Sequence, residues 1–154
     1  MRILHVLDHG LPLQSGYTFR TRAILKAQAA RGWVVQAVTG PRQGEAGVAT
    51  QDVEEIDGLT FHRTRTGYPA GWTGEARGLA GFVRAIDRAA AAFRPDVLHA
   101  HSPALDAVAA WVVARRRKLP LVYEIRAFWE DAAVGNGDGQ EGSLRYRATR
   151  ALEN

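Results

Sequence analysis

Residues 1–41 read MRILHVLDHGLPLQSGYTFRTRAILKAQAARGWVVQAVTGP, and their order decides the fold. Arg2 to Asp8 is dominated by Ile, Leu and Val, as expected of a parallel strand buried on both faces. A loop containing Gly10, Pro12, Ser15 and Gly16 follows. From Tyr17 to Arg31 the apolar residues Phe19, Ala23, Ile24, Ala27 and Ala30 recur at helical spacing, and the pattern stops at Gly32. Trp33 to Thr39 is rich in β-branched residues and is closed by Gly40-Pro41. Strand, helix and strand in that order make a β-α-β unit, whose crossover is right-handed.

The same alternation extends outward. Arg42 to Gln51 has no period and reads as a mobile surface loop. Val53–Ile56 and Leu59–Thr64 flank Asp57-Gly58, a dipeptide that supplies the positive φ angles of a two-residue hairpin turn. After the glycine-rich stretch 67–74, a long amphipathic helix is expected over Glu75 to Phe93, with Leu79, Phe82, Val83, Ile86, Ala89, Ala90 and Phe93 at three- and four-residue steps. Arg94-Pro95-Asp96 stops it. Val97 to His101 reads as a strand and Ala104 to Lys118 as an alanine-rich helix burying Leu105, Val108, Ala109, Val112 and Val113. Leu121 to Ile125 is a further strand, followed by an irregular loop to Gly142 and a helix from Ser143. The fold class is therefore α/β: a Rossmann-like three-layer sandwich with a mainly parallel sheet. The last helix lacks a C-cap glycine, so a fragment boundary is expected at Asn154.

Composition narrows the function. A length of 154 residues suits one domain, and 46% hydrophobic with 23% charged residues excludes a wholly disordered chain. The absence of cysteine removes disulfides and thiol chemistry and favours a cytoplasmic home. Apolar runs are of strand length, short of the ~20 residues of a spanning helix, and the N-terminus lacks a signal-peptide pattern. The formal charge of +4 raises the question of nucleic acid. Arg115-Arg116-Arg117-Lys118 ends a helix, where cations complement its dipole, so no nucleic-acid partner is expected.

Ligands of open parallel sheets bind beyond the carboxyl ends of the strands, and three clusters lie there. In Asp8-His9-Gly10-Leu11-Pro12-Leu13-Gln14-Ser15-Gly16-Tyr17, Ser15 is an N-cap, Gly16 opens the first helical turn to an anion such as a diphosphate, and Arg20 and Arg22 add charge. A plain tight turn would use the same residues. In His99-Ala100-His101-Ser102-Pro103, His99 is expected in the core and His101 at the strand tip, facing a polar substrate; no metal is expected, because a third ligand would have to come from elsewhere. Glu124-Ile125-Arg126-Ala127-Phe128-Trp129-Glu130-Asp131 mixes aromatic rings with carboxylates and a guanidinium, which suits a sugar's apolar face and hydroxyls. An Arg–carboxylate pair stiffening a loop is the competing account.

The opening strand, the Ser-Gly loop, Pro95-Asp96-Val97-Leu98-His99-Ala100-His101 and Leu121-Val122-Tyr123-Glu124-Ile125-Arg126 with Phe128-Trp129-Glu130-Asp131 together resemble the N-terminal domain of family-4 glycosyltransferases. Pro12-Leu13-Gln14-Ser15-Gly16-Tyr17-Thr18-Phe19-Arg20 and Tyr123 to Asp131 are similar to members found with exosortase-linked exopolysaccharide clusters. The resemblance covers essentially the whole chain. It implies residues 1–154 as the acceptor-side half of a GT-B enzyme, with the donor-binding half outside this chain. The implied reaction is a retaining, metal-independent transfer from a nucleotide-diphosphate-sugar to a sugar or lipid-linked acceptor, at the inner face of a membrane in the cytoplasm and without a cofactor. It places donor phosphates at Ser15, Gly16 and Arg20, and acceptor contacts at His101, Glu124, Arg126, Trp129, Glu130 and Asp131. Two departures matter: the usual Gly-Gly is Gly16-Tyr17, and Arg126 stands where relatives carry His, so no catalytic base is assigned. Tyr68, Trp72 and Phe82 are expected as a peripheral membrane contact. The alternative is a non-catalytic Rossmann-like module for a nucleotide or phosphorylated ligand.

Overall fold

The computed structural model describes residues 1–45, 51–65, 67 and 71–126. Tyr68, the Trp72 side chain, Trp129, Glu130, Asp131 and the expected helix from Ser143 lie outside the described residues. The elements are β1 (Arg2–Leu7), α1 (Gly16–Ala30), β2 (Val34–Thr39), α2 (Pro41–Glu45), β3 (Val53–Ile56), β4 (Leu59–Arg63), α3 (Trp72–Phe93), β5 (Val97–His101), α4 (Ala104–Arg117) and β6 (Leu121–Glu124). They form one six-stranded sheet of order β3-β4-β2-β1-β5-β6. All pairings are parallel except β3 with β4. That hairpin turns at Asp57 and Gly58, with φ of 56° and 69°, the left-handed pair that the sequence anticipates.

Alternation of side chains splits the sheet into two unlike faces. On one, Leu4, Val6, Val38, Leu98 and Ala100 pack against Phe82, Ile86, Ala89 and Phe93 of α3 and Ala109, Ala110 and Val113 of α4. On the other, Leu7, Ala37, Leu59 and Phe61 pack with Leu25 of α1, but His5 and His101 are buried beside them.

Four expectations change. Pro41–Glu45 is a short helix rather than loop, and its Gln43 is fully buried beneath the β1–α1 connection. Helix α1 turns Thr18, Thr21 and Leu25 inward and leaves Phe19 53% exposed; Thr21 Oγ1 accepts from Arg126, and Gln28 bonds His5. Helix α4 buries Ala104, Asp106, Ala109, Ala110, Val113 and Ala114, whereas Leu105 is exposed. Alanines let that helix approach the sheet closely, so Leu105 and Trp111 face outward. Phe82 is a core residue with no exposed surface, so it provides no membrane contact.

Two stability predictions follow from this packing. Phe82→Ala removes a fully buried ring and should cost about 3–5 kcal/mol, read by urea unfolding; a loss under 1 kcal/mol would contradict the packing described. Burial holds His5 down to about 3, and burial also lowers His62, His99 and His101 from their usual range. These imidazoles stay neutral in the fold while the unfolded chain protonates near 6.5. Their contribution is therefore complete above pH 6.5 and is lost as pH falls below it, by up to ~1.4 kcal/mol per pH unit for a fully buried ring. Burial, then the charge of Asp8, raises Asp106, which opposes this trend because its protonated form favours the fold as pH falls. With four imidazoles against one carboxyl, the melting midpoint should drop between pH 7.5 and 5; a profile that stays flat in an Asp106→Asn background as well would show that the histidines are hydrated.

Candidate functional site

Strand β1 pairs with β2 on one side and with β5 on the other, so successive crossovers leave it in opposite directions and a crevice opens beyond the ends of β1 and β5. The β1–α1 loop forms one wall. Ser15, in extended conformation, caps α1: its Oγ accepts the backbone N–H of Thr18 at 3.1 Å. His9 Nε2 lies 2.8 Å from the same Oγ, and His9 Nδ1 is 2.8 Å from Asp8 Oδ2. An aspartate thus orients the imidazole, and the imidazole holds the cap. Gly16 has open space where a Cβ would project, so the first turn of α1 is reachable by a ligand. Asp106 of α4 is buried with Oδ2 lacking a hydrogen-bond partner, and burial, then the charge of Asp8, keeps it protonated well above the usual range. The Tyr17 hydroxyl accepts the Asp8 N–H at 3.3 Å, and burial, then the Asp106 charge, raises its pKa.

Glu124, at the end of β6, organises the other wall. Its Oε1 accepts from Arg20 Nη2 at 3.1 Å and Arg126 Nε at 3.2 Å. Its Oε2 lies 3.1 Å from His101 Nδ1 and 3.4 Å from His99 Nε2. The His101 approach is close but not aligned as a hydrogen bond. Arg126 spans the crevice: Nη1 donates to Thr21 Oγ1 at 2.6 Å, its N–H donates to Ser102 Oγ at 2.7 Å, and the guanidinium lies 4.7 Å from the Tyr17 ring centroid. Behind it, His5 Nδ1 and His101 Nε2 share a hydrogen bond of 2.9 Å, and His5 Nε2 bonds Gln28 Oε1 at 2.8 Å.

The structure thus brings Arg20, Glu124, Arg126 and His101 into one connected network and joins it to Tyr17, the neighbour of Gly16 and Ser15. Arg20 is bound to Glu124, with its side chain 58% exposed. The two strand histidines exchange roles: His101 has no exposed surface, while the His99 side chain keeps 17% exposure, because α1 and Arg126 cover the strand's end. His101 accordingly acts behind Glu124 rather than at the surface. Thr21 and Gln28 were not singled out from sequence, and neither carries a local signal. The adjacency of Asp8 and His9 at a strand's carboxyl end was a usable signal for the capping chain.

Among the described residues, His5, His99 and His101 bring ring nitrogens within 4.8 Å of one another, a spacing that a metal could use. Both His5 nitrogens are engaged with protein groups, the rings of His99 and His101 are stacked with centroids 4.3 Å apart, and the positive charge of Arg126 acts on the group. This geometry is that of a packed neutral stack. Chemically, the site offers an open helix N-terminus for an anion and, across from it, a carboxylate flanked by guanidinium groups for hydroxyls. No described helix is long and apolar enough to cross a membrane.

Solved structures share this architecture. Sucrose-phosphate synthase from Thermosynechococcus elongatus superposes over 99% of this chain and 39% of its own, with a TM-score of 0.66 at 17% identity. CalG4, the calicheamicin glycosyltransferase, matches 99% of this chain and 39% of its own (TM-score 0.52, 14% identity). The glycotransferase of kitacinnamycin matches 96% and 37% (TM-score 0.52, 16% identity). The fold is that of the N-terminal Rossmann-like domain of GT-B glycosyltransferases, and the chain spans about two fifths of the length of these structures. No curated protein matches the sequence. The glycosyl transferase 4-like domain matches residues 15–154, and the chain belongs to that family.

Proposed function

We propose that this chain is the acceptor-side domain of a retaining, metal-independent glycosyltransferase that moves a sugar from a nucleotide-diphosphate-sugar to an acceptor in exopolysaccharide or glycolipid biosynthesis. The donor-binding half is a second domain, consistent with the fraction of the solved structures that this chain spans. The observation that carries the reading is the juxtaposition, at one crevice, of the Ser15-capped and unobstructed N-terminus of α1 with the Glu124–Arg126 pair. Backbone N–H groups and the dipole of α1 receive donor phosphate at Ser15 and Gly16. Arg20 contributes positive charge from the next turn. Glu124 and Arg126, backed by His101, bind acceptor hydroxyls; Trp129, Glu130 and Asp131, which lie outside the described residues, are assigned to acceptor binding as well. The reaction proceeds in the cytoplasm, at the inner face of the membrane when the acceptor is lipid-linked.

The isolated chain should bind a nucleoside diphosphate weakly, with amide shifts at Gly16, Tyr17 and Thr18 in an NMR titration, and should transfer no sugar. Gly16→Val adds side-chain bulk to open space, so it should remove those shifts and leave the melting midpoint unchanged. Micromolar binding by the isolated chain, abolished by Gly16→Val, would instead favour a self-sufficient nucleotide-binding module. Shifts confined to other surfaces would reject both readings.

A further inference from the structure

Two buried polar side chains from outside the crevice reach under the β1–α1 loop and hold its backbone. Gln43 of α2 has no exposed surface, and its Oε1 accepts the Gly10 N–H at 2.8 Å. Its Nε2 is buried without a hydrogen-bond partner. Arg63, at the end of β4, has a side chain with 0% exposure. Its Nη2 donates to the Leu11 carbonyl, Nη1 to Thr39 Oγ1 at 3.3 Å and Nε to Glu54 Oε2 at 2.7 Å. Its guanidinium rests 4.7 Å from the Phe61 ring centroid, and a Cβ on Gly10 would lie 3.1 Å from that same ring. Consecutive residues of the loop are therefore fixed from two elements, one through an N–H and the next through a C=O.

Neither side chain is an economical way to stabilise a core. A buried amide with an unpartnered nitrogen forfeits hydration that an apolar side chain of the same size would not, and a buried guanidinium pays a desolvation cost that its partners only balance. Both are explained by what they touch. Further along the same loop, the Asp8–His9–Ser15 chain holds the α1 cap, so residues 8–15 are tied at three separate points. A loop held this way loses little freedom when a ligand arrives.

We infer that Gln43 and Arg63 are positioning residues that preset the β1–α1 loop for an anionic ligand at the α1 terminus, an assignment that rests on the phosphate reading above. The test uses the 154-residue chain with inorganic diphosphate as the probe. Gln43→Met keeps the volume and removes the acceptor; Val113→Ala, in the buried face of α4, serves as a control that weakens the fold away from the loop. Gln43→Met should weaken diphosphate binding about tenfold while shifting the melting midpoint less than Val113→Ala does. Val113→Ala should lower the midpoint and leave the affinity within about twofold. Equal affinity for Gln43→Met and the unaltered chain would overturn the proposal, as would an affinity loss shared by Val113→Ala.

Amide exchange separates this assignment from the phosphate reading. If the unaltered chain gives no response to diphosphate, the phosphate reading fails. The positioning role then stands or falls on the Gly10 and Leu13 amides, of which the second donates to the Gly10 carbonyl. Gln43→Met and Arg63→Lys, which keeps the charge but loses the fork, should each speed their exchange about tenfold while α3 and α4 amides stay protected. Unchanged exchange at both positions would remove the role altogether.

Discussion

Strand β1 hydrogen-bonds to β2 from Arg2 to Leu7 and to β5 from Ile3 to Val6, both in parallel. With both edges taken, its side chains are confined to two covered faces, and its carboxyl end can only lead into a loop that rises over the sheet. Every group of the crevice depends on this. The loop that carries Ser15 leaves β1 there, and Ser102 follows the adjacent strand. Pairing of His101 with Glu124 across β5 and β6 then sets the carboxylate beside them. Moving β1 by one residue would turn His5 into the α3–α4 core and Leu4 toward α1, putting an imidazole among apolar groups on one face and an apolar side chain among imidazoles on the other.

The face toward α1 is where ordinary core rules give way. The sheet presents Leu7, Ala37, Leu59 and Phe61 on one half and histidines on the other, and α1 answers each with the side chains it turns inward. Leu25 meets the apolar half, while Thr21 and Gln28 meet the polar half. Burial keeps the imidazoles neutral, so the polar half can be enclosed without stranding several charges. The positive charge that this region carries comes from Arg20 and Arg126, which share one carboxylate oxygen of Glu124 at the mouth of the crevice. Neutral groups thus lie inside, Arg20 with a side chain 58% exposed stands at the edge beside Glu124, and the Arg126 side chain, 5% exposed, links the two levels.

What the sequence disclosed and what it concealed follow from the range of the interactions involved. Strand runs, the Asp57-Gly58 turn and the stop at Pro95 are local, and each was readable. The buried sides of α1 and α4 were not. In α4 alanine occupies much of the helix, so apolarity no longer distinguishes its sides; close approach to the sheet selects Ala109 and Ala110 over Leu105 and Trp111. In α1 the inward stripe contains threonine and glutamine because the partner surface contains histidine, and that surface is assembled from residues about 23 to 105 positions away. Arg63 reads in sequence as an ordinary exposed base, since its meeting with Leu11 spans 52 positions.

The same distinction bears on how such a domain acquires specificity. A helix N-terminus attracts any small anion, because its N–H groups and dipole carry no information about what the anion is attached to. Discrimination must come from the geometry in which that terminus is presented relative to the opposite wall. Here the geometry is written mainly in residues that touch no ligand: Gln43 and Arg63 beneath the loop, Asp8 and His9 behind the cap, and His5 and His101 behind Glu124. Substitutions among residues that form the crevice surface would change which ligand fits. Substitutions among the buried supports would change how closely the two walls are matched, and with it the rate at which bound groups reach a productive alignment. A domain built this way can vary its ligands through a few exposed side chains while its buried polar scaffold stays the same.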